Sequence, residues 1–292
     1  MAYVLSIIAN PASPVIDAGL KARVAGLAAN AEPIDLAAGI ACDFYIAERN
    51  DDMLAAVRAM LAETPVDINI VARPHRRKRL LVADMDSTII EQECIDEIAE
   101  FAGRRAEISA ITERAMLGEL SFEAALTERV AMLEGLDVSV LEETYAKHIT
   151  LTPGARTLVQ TMNKFGAVTA LVSGGFTFFT ERIAKAAGFK SAQANELLIE
   201  DGVLTGKVRQ PILGRAAKQN ALLRLAGRNH LRMEETLAVG DGANDLSMLE
   251  RAGLGVAFRA KPAVAEAAAA RIHHGDLTAL LYLQGIAQSD FV

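Results

Sequence analysis

The sequence predicts an α/β protein in which a parallel sheet carries an inserted all-helical segment, preceded by a smaller α+β unit. Three observations predict it. Four short apolar runs recur from Leu80 onward, the last three each beside glycine and a helical pattern. The stretch from Glu93 to about Ile149 is helix-patterned throughout and offers no strand. Residues 1–72 read β-α-β-β-α-β, the split βαβ order of a ferredoxin-like, four-stranded sheet with two helices on one face.

Within residues 1–72, Tyr3–Ala9 is a β-rich run, and Ile16, Leu20, Val24 and Leu27 then recur at helical spacing. Residues 33–36 and 41–47 read as strands. Asn50 and Asp51 can cap a helix that runs to Leu61 and ends before Pro65. Val66, Ile68 and Ile70 alternate with Asp67 and Asn69, the period of a half-buried strand. Residues 73–79, RPHRRKR, carry five basic side chains and Pro74, and read as a solvated linker.

The third region spans residues 80–292. Leu80–Ala83 is a continuous apolar run ending at Asp84, as expected of a buried parallel strand that delivers a residue at its C-terminal end. Residues 167–172, 236–239 and 255–258 repeat the pattern, so the sheet is Rossmann-like. The helical insert, about 94–150, reads as a cap. Asp201 and Gly202 between short apolar segments predict a hairpin. Residues 263–270, rich in alanine, read as an ordinary helix, and His273 and His274 as a late strand or turn.

The chain has 292 residues, a formal net charge of −7 and 51% hydrophobic side chains. The acidic balance argues against a nucleic-acid partner, because phosphate backbones select basic faces. Cys42 and Cys94 form no metal-ligand cluster and read as reduced thiols. No apolar run has membrane-spanning length and no secretory signal is evident, so a cytoplasmic protein without a membrane partner is expected.

Chemistry concentrates at three strand ends. Asp84, Met85, Asp86, Ser87 and Thr88 follow the first apolar run. A carboxylate is ionised at neutral pH, so Asp84 can be a nucleophile without an activating base. Asp86, one residue on, can work as general acid and base. A plain Asx turn is the competing reading of that motif. Ser173, Gly174 and Gly175 end a second strand in a turn able to offer a hydroxyl and backbone N–H groups to phosphate, although such loops are common. Residues 240–245, GDGAND, end a third, where Asp241 can meet Asp84 around a hard cation such as Mg²⁺. Lys218 opens a helix upstream. Read alone, each element is ordinary; their joint order is not.

These motifs, with DMDSTIIEQECIDE at 84–97, residues 116–129, and AVGDGANDLSM at 238–248, resemble the haloacid dehalogenase-like hydrolases from Arg79 to Leu283. The resemblance is closer still to the branch that hydrolyses O-phospho-L-serine to L-serine and phosphate in the last step of serine biosynthesis. It implies a phosphoaspartyl intermediate on Asp84, with Asp86 as acid and base. It also implies Mg²⁺ held by Asp84, the Asp86 carbonyl and Asp241, and phosphate held by Ser173, Gly174 and Lys218. Asn244 matches a substrate contact, and Asp245 a residue orienting Lys218 or a metal-bound water. Another small phosphomonoester, or transfer to another alcohol, is the alternative.

Phe122 and Arg129, seven residues apart on one predicted helix, share a face. Arg129 can fork onto a substrate carboxylate while Glu93 accepts from its ammonium group, with Met116 and Phe122 walling the pocket. Simple packing and solvated helix charge are the plainer readings of these four. The first unit resembles the ACT family of regulatory domains. It offers no binding motif, and a homodimer through it is the expectation that stands beside ligand binding.

Overall fold

The computed structural model describes residues 2–116 and 119–292, apart from the side chains of Glu113, Ala115 and Met116. The first unit comprises β1 (Tyr3–Ala9), α1 (Ala18–Leu27), β2 (Pro33–Ala37), β3 (Ala41–Ile46), α2 (Asp51–Met60) and β4 (Val66–Ala72). Its antiparallel strands are ordered β2-β3-β1-β4, the ferredoxin-like arrangement. Side-chain oxygens cap both helices: Asp17 accepts from Leu20 N at 2.7 Å, and Asn50 from Met53 N at 2.8 Å. Leu5, Ile7, Cys42, Phe44, Ile68 and Ile70 pack with α1 and α2 residues Leu20, Val24, Leu54 and Val57. Leu27, expected on that face, is 41% exposed, and Ala28 is buried in its stead.

The opposite face departs from the half-buried expectation. Asp67 and Asn69 are 4% and 1% exposed, because this face lies against the rest of the chain. Their polar groups do the work of a strand partner. Asp67 accepts from the backbone N–H groups of His273 (2.7 Å), His274 (3.1 Å) and Gly275 (2.8 Å). Asn69 accepts from Arg271 N and donates to Arg271 O, both at 2.9 Å. Nor is the 73–79 segment solvated throughout. Arg76 is 8% exposed and forks onto Asp43 at 2.6 and 2.9 Å, while also donating to the carbonyls of Tyr282 and Leu283. Buried guanidinium and carboxylate thus neutralise one another, and two backbone carbonyls take further N–H groups of the guanidinium. Lys78, 7% exposed, donates to Glu234 O at 2.7 Å.

In the larger unit, β5 (Leu80–Ala83) is followed by the cap helices α3 (Cys94–Phe101), α4 (Arg105–Met116), α5 (Phe122–Ala131) and α6 (Ser139–His148). The chain continues with α7 (Ala155–Lys164), β6 (Val168–Phe176), α8 (Thr177–Ala187), β7 (Ser191–Asn195) and a hairpin of β8 (Leu197–Glu200) and β9 (Val203–Val208). After α9 (Arg215–Arg228) come β10 (Thr236–Gly240), α10 (Leu246–Arg251), β11 (Leu254–Phe258), α11 (Pro262–Ala267), β12 (Ala270–Ile272) and α12 (Ala279–Leu283). The predicted hairpin turns through Asp201 (φ 50°) and Gly202 (φ 80°). The alanine-rich helix stops at Ala267, and Ala270 already belongs to the edge strand β12, whose backbone answers Asn69.

The parallel sheet is ordered β12-β11-β10-β5-β6-β7. From β5 the chain crosses to β6 on one side and returns to β10 on the other. The crevice beyond the carboxyl ends of β5, β6 and β10 is therefore the topological switch point, where ligands of such sheets bind. The cap hangs over it on two short connections paired at Ile90 and Leu151. Gln92 fastens them, accepting from Thr150 N at 2.9 Å and donating to Thr150 Oγ1 at 2.8 Å.

Candidate active site

Asp84 leaves β5 and enters a tight irregular turn in which Ser87 takes a left-handed conformation, φ 53°. Its Oδ1 accepts from Met85 N at 2.7 Å, and its Oδ2 lies 2.5 Å from Lys218 Nζ. The same ammonium lies 2.6 Å from Asp245 Oδ1. Lys218 is in the first turn of α9 and is buried with both partners. Asp241, at the end of β10, accepts from Thr88 Oγ1 at 3.1 Å. Single carboxylate oxygens of Asp84, Asp241 and Asp245 all lie within 4.8 Å of one another, a cluster that can hold a metal ion.

Three carboxylates thus face one ammonium. Burial and the Asp245 charge push Asp84 well above the usual carboxylate range, against the pull of Lys218. Burial and Asp245 likewise raise Asp241 to about 6. Burial alone would lower Lys218, but Asp245 and Asp84 outweigh it and keep the ammonium charged. The uncompensated negative charge and the all-oxygen donor set fit a hard divalent cation.

Asp86 is fixed at both oxygens: Oδ1 accepts from Cys94 N at 2.9 Å and Oδ2 from Ser173 Oγ at 3.2 Å. Ser173, Gly174 and Gly175 do not form the expected turn. They lie inside β6, which runs on to Phe176 past an irregularity in its pairing with β7. Glycine at 174 and 175 follows from close approach. A Cβ at 174 would lie 2.7 Å from Phe122 Cζ, and one at 175 would lie 2.8 Å from Asp86 Oδ2. The first of these contacts means that the cap rests closed on the sheet.

Phe122 and Arg129 both lie on α5, whose N-terminus is capped by Ser121. Arg129 donates to Ala125 O at 3.2 Å and to Thr112 Oγ1 at 3.3 Å. Burial lowers its pKa, opposed by the nearby charges of Asp96, Glu93 and Asp86. Among the described residues it has no ion-pair partner. Glu93 accepts from Ser87 Oγ at 2.6 Å, and crowding in its recess together with Asp86 raises its pKa, although the side chain still reaches solvent. Asn244 folds over Gly242, where a Cβ would lie 2.2 Å from its Oδ1. The Met116 side chain lies outside the described residues.

Several supporting residues escaped the sequence reading. Ser87 and Thr88 sit within the motif but had no assigned task; they hold Glu93 and Asp241. Asn195, 2% exposed, donates to Gly174 O at 2.8 Å and accepts from Leu213 N at 2.7 Å, tying the end of β6 to the approach of α9. No motif marks it. Thr112, on α4, orients Arg129 from another helix and could not be paired with it by spacing.

Comparison with known proteins places this site in a class. Residues 81–250 match the model of the haloacid dehalogenase-like hydrolases, and the chain belongs to that family. Its relatives there are phosphoserine phosphatases. The one from Streptomyces coelicolor is 41% identical over 292 residues, covering 98% of this chain and 71% of the relative. The chain spans 63% and 58% of the phosphoserine phosphatases of Archaeoglobus fulgidus and Mycobacterium tuberculosis. Among solved structures, a family hydrolase from Salmonella enterica serovar Typhi superposes with a TM-score of 0.85 at 33% identity, covering 96% of this chain and 98% of that one. A substrate-bound phosphoserine phosphatase gives a TM-score of 0.66 at 41% identity, over 70% of this chain and 98% of that one.

Proposed function

We propose that the chain hydrolyses O-phospho-L-serine to L-serine and phosphate. The observation that carries the substrate is Arg129, a half-buried guanidinium in the cap that lacks a carboxylate partner among the described residues and whose field reaches Glu93 and Asp86. A substrate carboxylate supplies what Arg129 lacks, and Glu93 accepts from the adjacent ammonium. The relatives named phosphoserine phosphatase support the same reading.

In the reaction, an oxygen of Asp84 attacks phosphorus and the ester P–O bond breaks, leaving phosphate on the Asp84 carboxylate. Asp86, aimed by Cys94 N and Ser173 Oγ, gives its proton to the departing serine oxygen. It then takes a proton from the water that attacks phosphorus, which frees Asp84 and inorganic phosphate. Ser173, the backbone at Gly174 and Lys218 hold the phosphoryl oxygens, with Asn244 on the substrate side and Asp245 keeping Lys218 in place. Phe122, with Met116, excludes water. Asp84, Asp86 and Asp241 would hold Mg²⁺, which supplies positive charge against the repulsion between the phosphate and Asp84.

A homodimer through the first unit would use the β2 edge or the outer faces of α1 and α2, since its other sheet face is taken by the chain itself. Among the described residues no helix is long and apolar enough to cross a membrane. A cytoplasmic site of action fits the two free, buried cysteines.

The test is a substrate panel. Arg129→Ala should lower kcat/KM for O-phospho-L-serine by about 10²-fold while sparing phosphoethanolamine, which has no carboxylate. Equal losses on both would make Arg129 structural. If the wild type prefers generic phosphomonoesters to O-phospho-L-serine, the substrate assignment fails and the phosphatase chemistry survives.

A further inference from the structure

Away from this site, two adjoining clefts of about 240 and 380 Å³ open along the seam between the first unit and the edge of the parallel sheet. Arg58 of α2 and Arg271 of β12 line both. Arg49 stands at one end, and His273 and His274 at the other. The space exists because much of the wall is alanine, including Ala62, Ala257 and Ala265. Carboxylates answer the positive charge only in part, since Asp67, which lines the same cleft and keeps its charge, makes no ion pair with either arginine. Asp67 is occupied by three backbone N–H groups, and Arg49 is paired with Asp51 at 3.0 Å. Glu266 lies at the rim, exposed, and is outside ion-pair distance of the arginines. Among the described residues neither Arg58 nor Arg271 has a carboxylate within 4.0 Å; Arg58 donates only to Ile68 O, at 3.0 Å.

The geometry points to a binding site for a small tetrahedral oxyanion, a phosphate-type dianion, gripped between Arg58 of the first unit and Arg271 of the sheet edge. A dianion matches two guanidiniums better than a single carboxylate does, and guanidiniums offer the forked donors such oxygens accept. The pKa of Arg58 is already lowered, first by burial and then by repulsion from Arg271 and Arg49, and a bound anion relieves that repulsion. Arg271 is fixed through its backbone by Asn69, and Arg58 by the Ile68 carbonyl. An anion here would bridge the two units at the same seam that Asp67 and Asn69 already close.

The test follows guanidinium Nε–H resonances of the full chain, free of divalent metal, during titration with inorganic phosphate at ionic strength matched by KCl. Arg58 and Arg271 should shift with one shared midpoint. In Arg271→Gln the Arg58 midpoint should rise about tenfold. That substitution spares the seam, because only backbone atoms of Arg271 bond to Asn69. Arg58→Gln, read at Arg271, is the reciprocal measurement. Following these two signals keeps phosphate at Asp84 and Lys218 out of the readout. Unmoved signals, separate midpoints, or an Arg58 midpoint unchanged in Arg271→Gln would overturn the site.

Discussion

Lys218 Nζ lies 2.5 Å from Asp84 Oδ2 and 2.6 Å from Asp245 Oδ1, so one buried ammonium holds two carboxylates that would otherwise repel. Taking it away leaves both charges uncompensated, the costly way to break a buried pair. Lys218→Met should therefore lose about 3–5 kcal/mol of stability in chelator. Its kcat should fall on the order of 10³-fold, since the same ammonium is proposed to meet the phosphoryl oxygens. Urea unfolding and steady-state kinetics measure the two effects. A variant with near-normal kcat would remove Lys218 from the phosphate-holding set.

Phe122 and Gly174 make the seat of the cap. A methyl group at 174 would sit 2.7 Å from Phe122 Cζ, and no left-handed backbone angle stands in its way, so the clash alone decides the outcome. Gly174→Ala should hold the cap off the sheet and lower kcat/KM by about 10²-fold. Phe122→Ala should also be harmful, because the ring is proposed to exclude water, but it removes the clashing ring. In that background the further loss from Gly174→Ala should be under about threefold. Additive losses would show that residue 174 acts on phosphate independently of the cap.

How much of this was legible beforehand divides along a physical line. Asp84 and Asp241 end apolar strands, and a parallel sheet must present such residues at its carboxyl edge, so local sequence predicts their meeting. Asp67 and Asn69 looked solvent-facing because alternation reports only polarity. Which surface covers a polar face is a tertiary fact, and here the covering backbone of residues 271–275 needs acceptors and donors. Asn195 and Thr112 act across the fold without any motif. The short strands β7 and β12 lack the apolar runs by which their neighbours were found.

Arg76 is the other misread charge, and it carries a stability prediction. Its fork onto Asp43 is buried, and the guanidinium also serves two carbonyls of the chain around α12. Arg76→Met should cost about 3–5 kcal/mol by stranding Asp43 in the seam. Adding Asp43→Leu should recover a substantial part, because the stranded carboxylate goes while the carbonyls remain unserved. Urea unfolding of the three variants decides this. A single substitution costing under about 1 kcal/mol would show that the pair is solvated in solution.

Asp241 should make Mg²⁺ binding at the proposed site depend on pH. Burial, then the Asp245 charge, raise its carboxyl to about 6 from 3.8. In the metal-free protein the folded chain holds this proton more tightly than the unfolded chain, so the residue's contribution to folding is fully present below about pH 4 and is lost as pH rises through 6. Metal binding runs the opposite way, because a ligand carboxylate must first give up its proton. Between pH 7 and pH 5 the ionised fraction of Asp241 falls from about 0.9 to about 0.1, so affinity for Mg²⁺ should drop at least about tenfold, and Asp84, whose carboxyl is raised as well, steepens the fall. Calorimetric Mg²⁺ titrations in buffers of different ionisation enthalpy would detect both the drop and the released proton. Asp241→Asn should bind Mg²⁺ weakly and release fewer protons on binding than the wild type; a wild-type affinity constant from pH 5 to pH 7 would exclude Asp241 as a ligand.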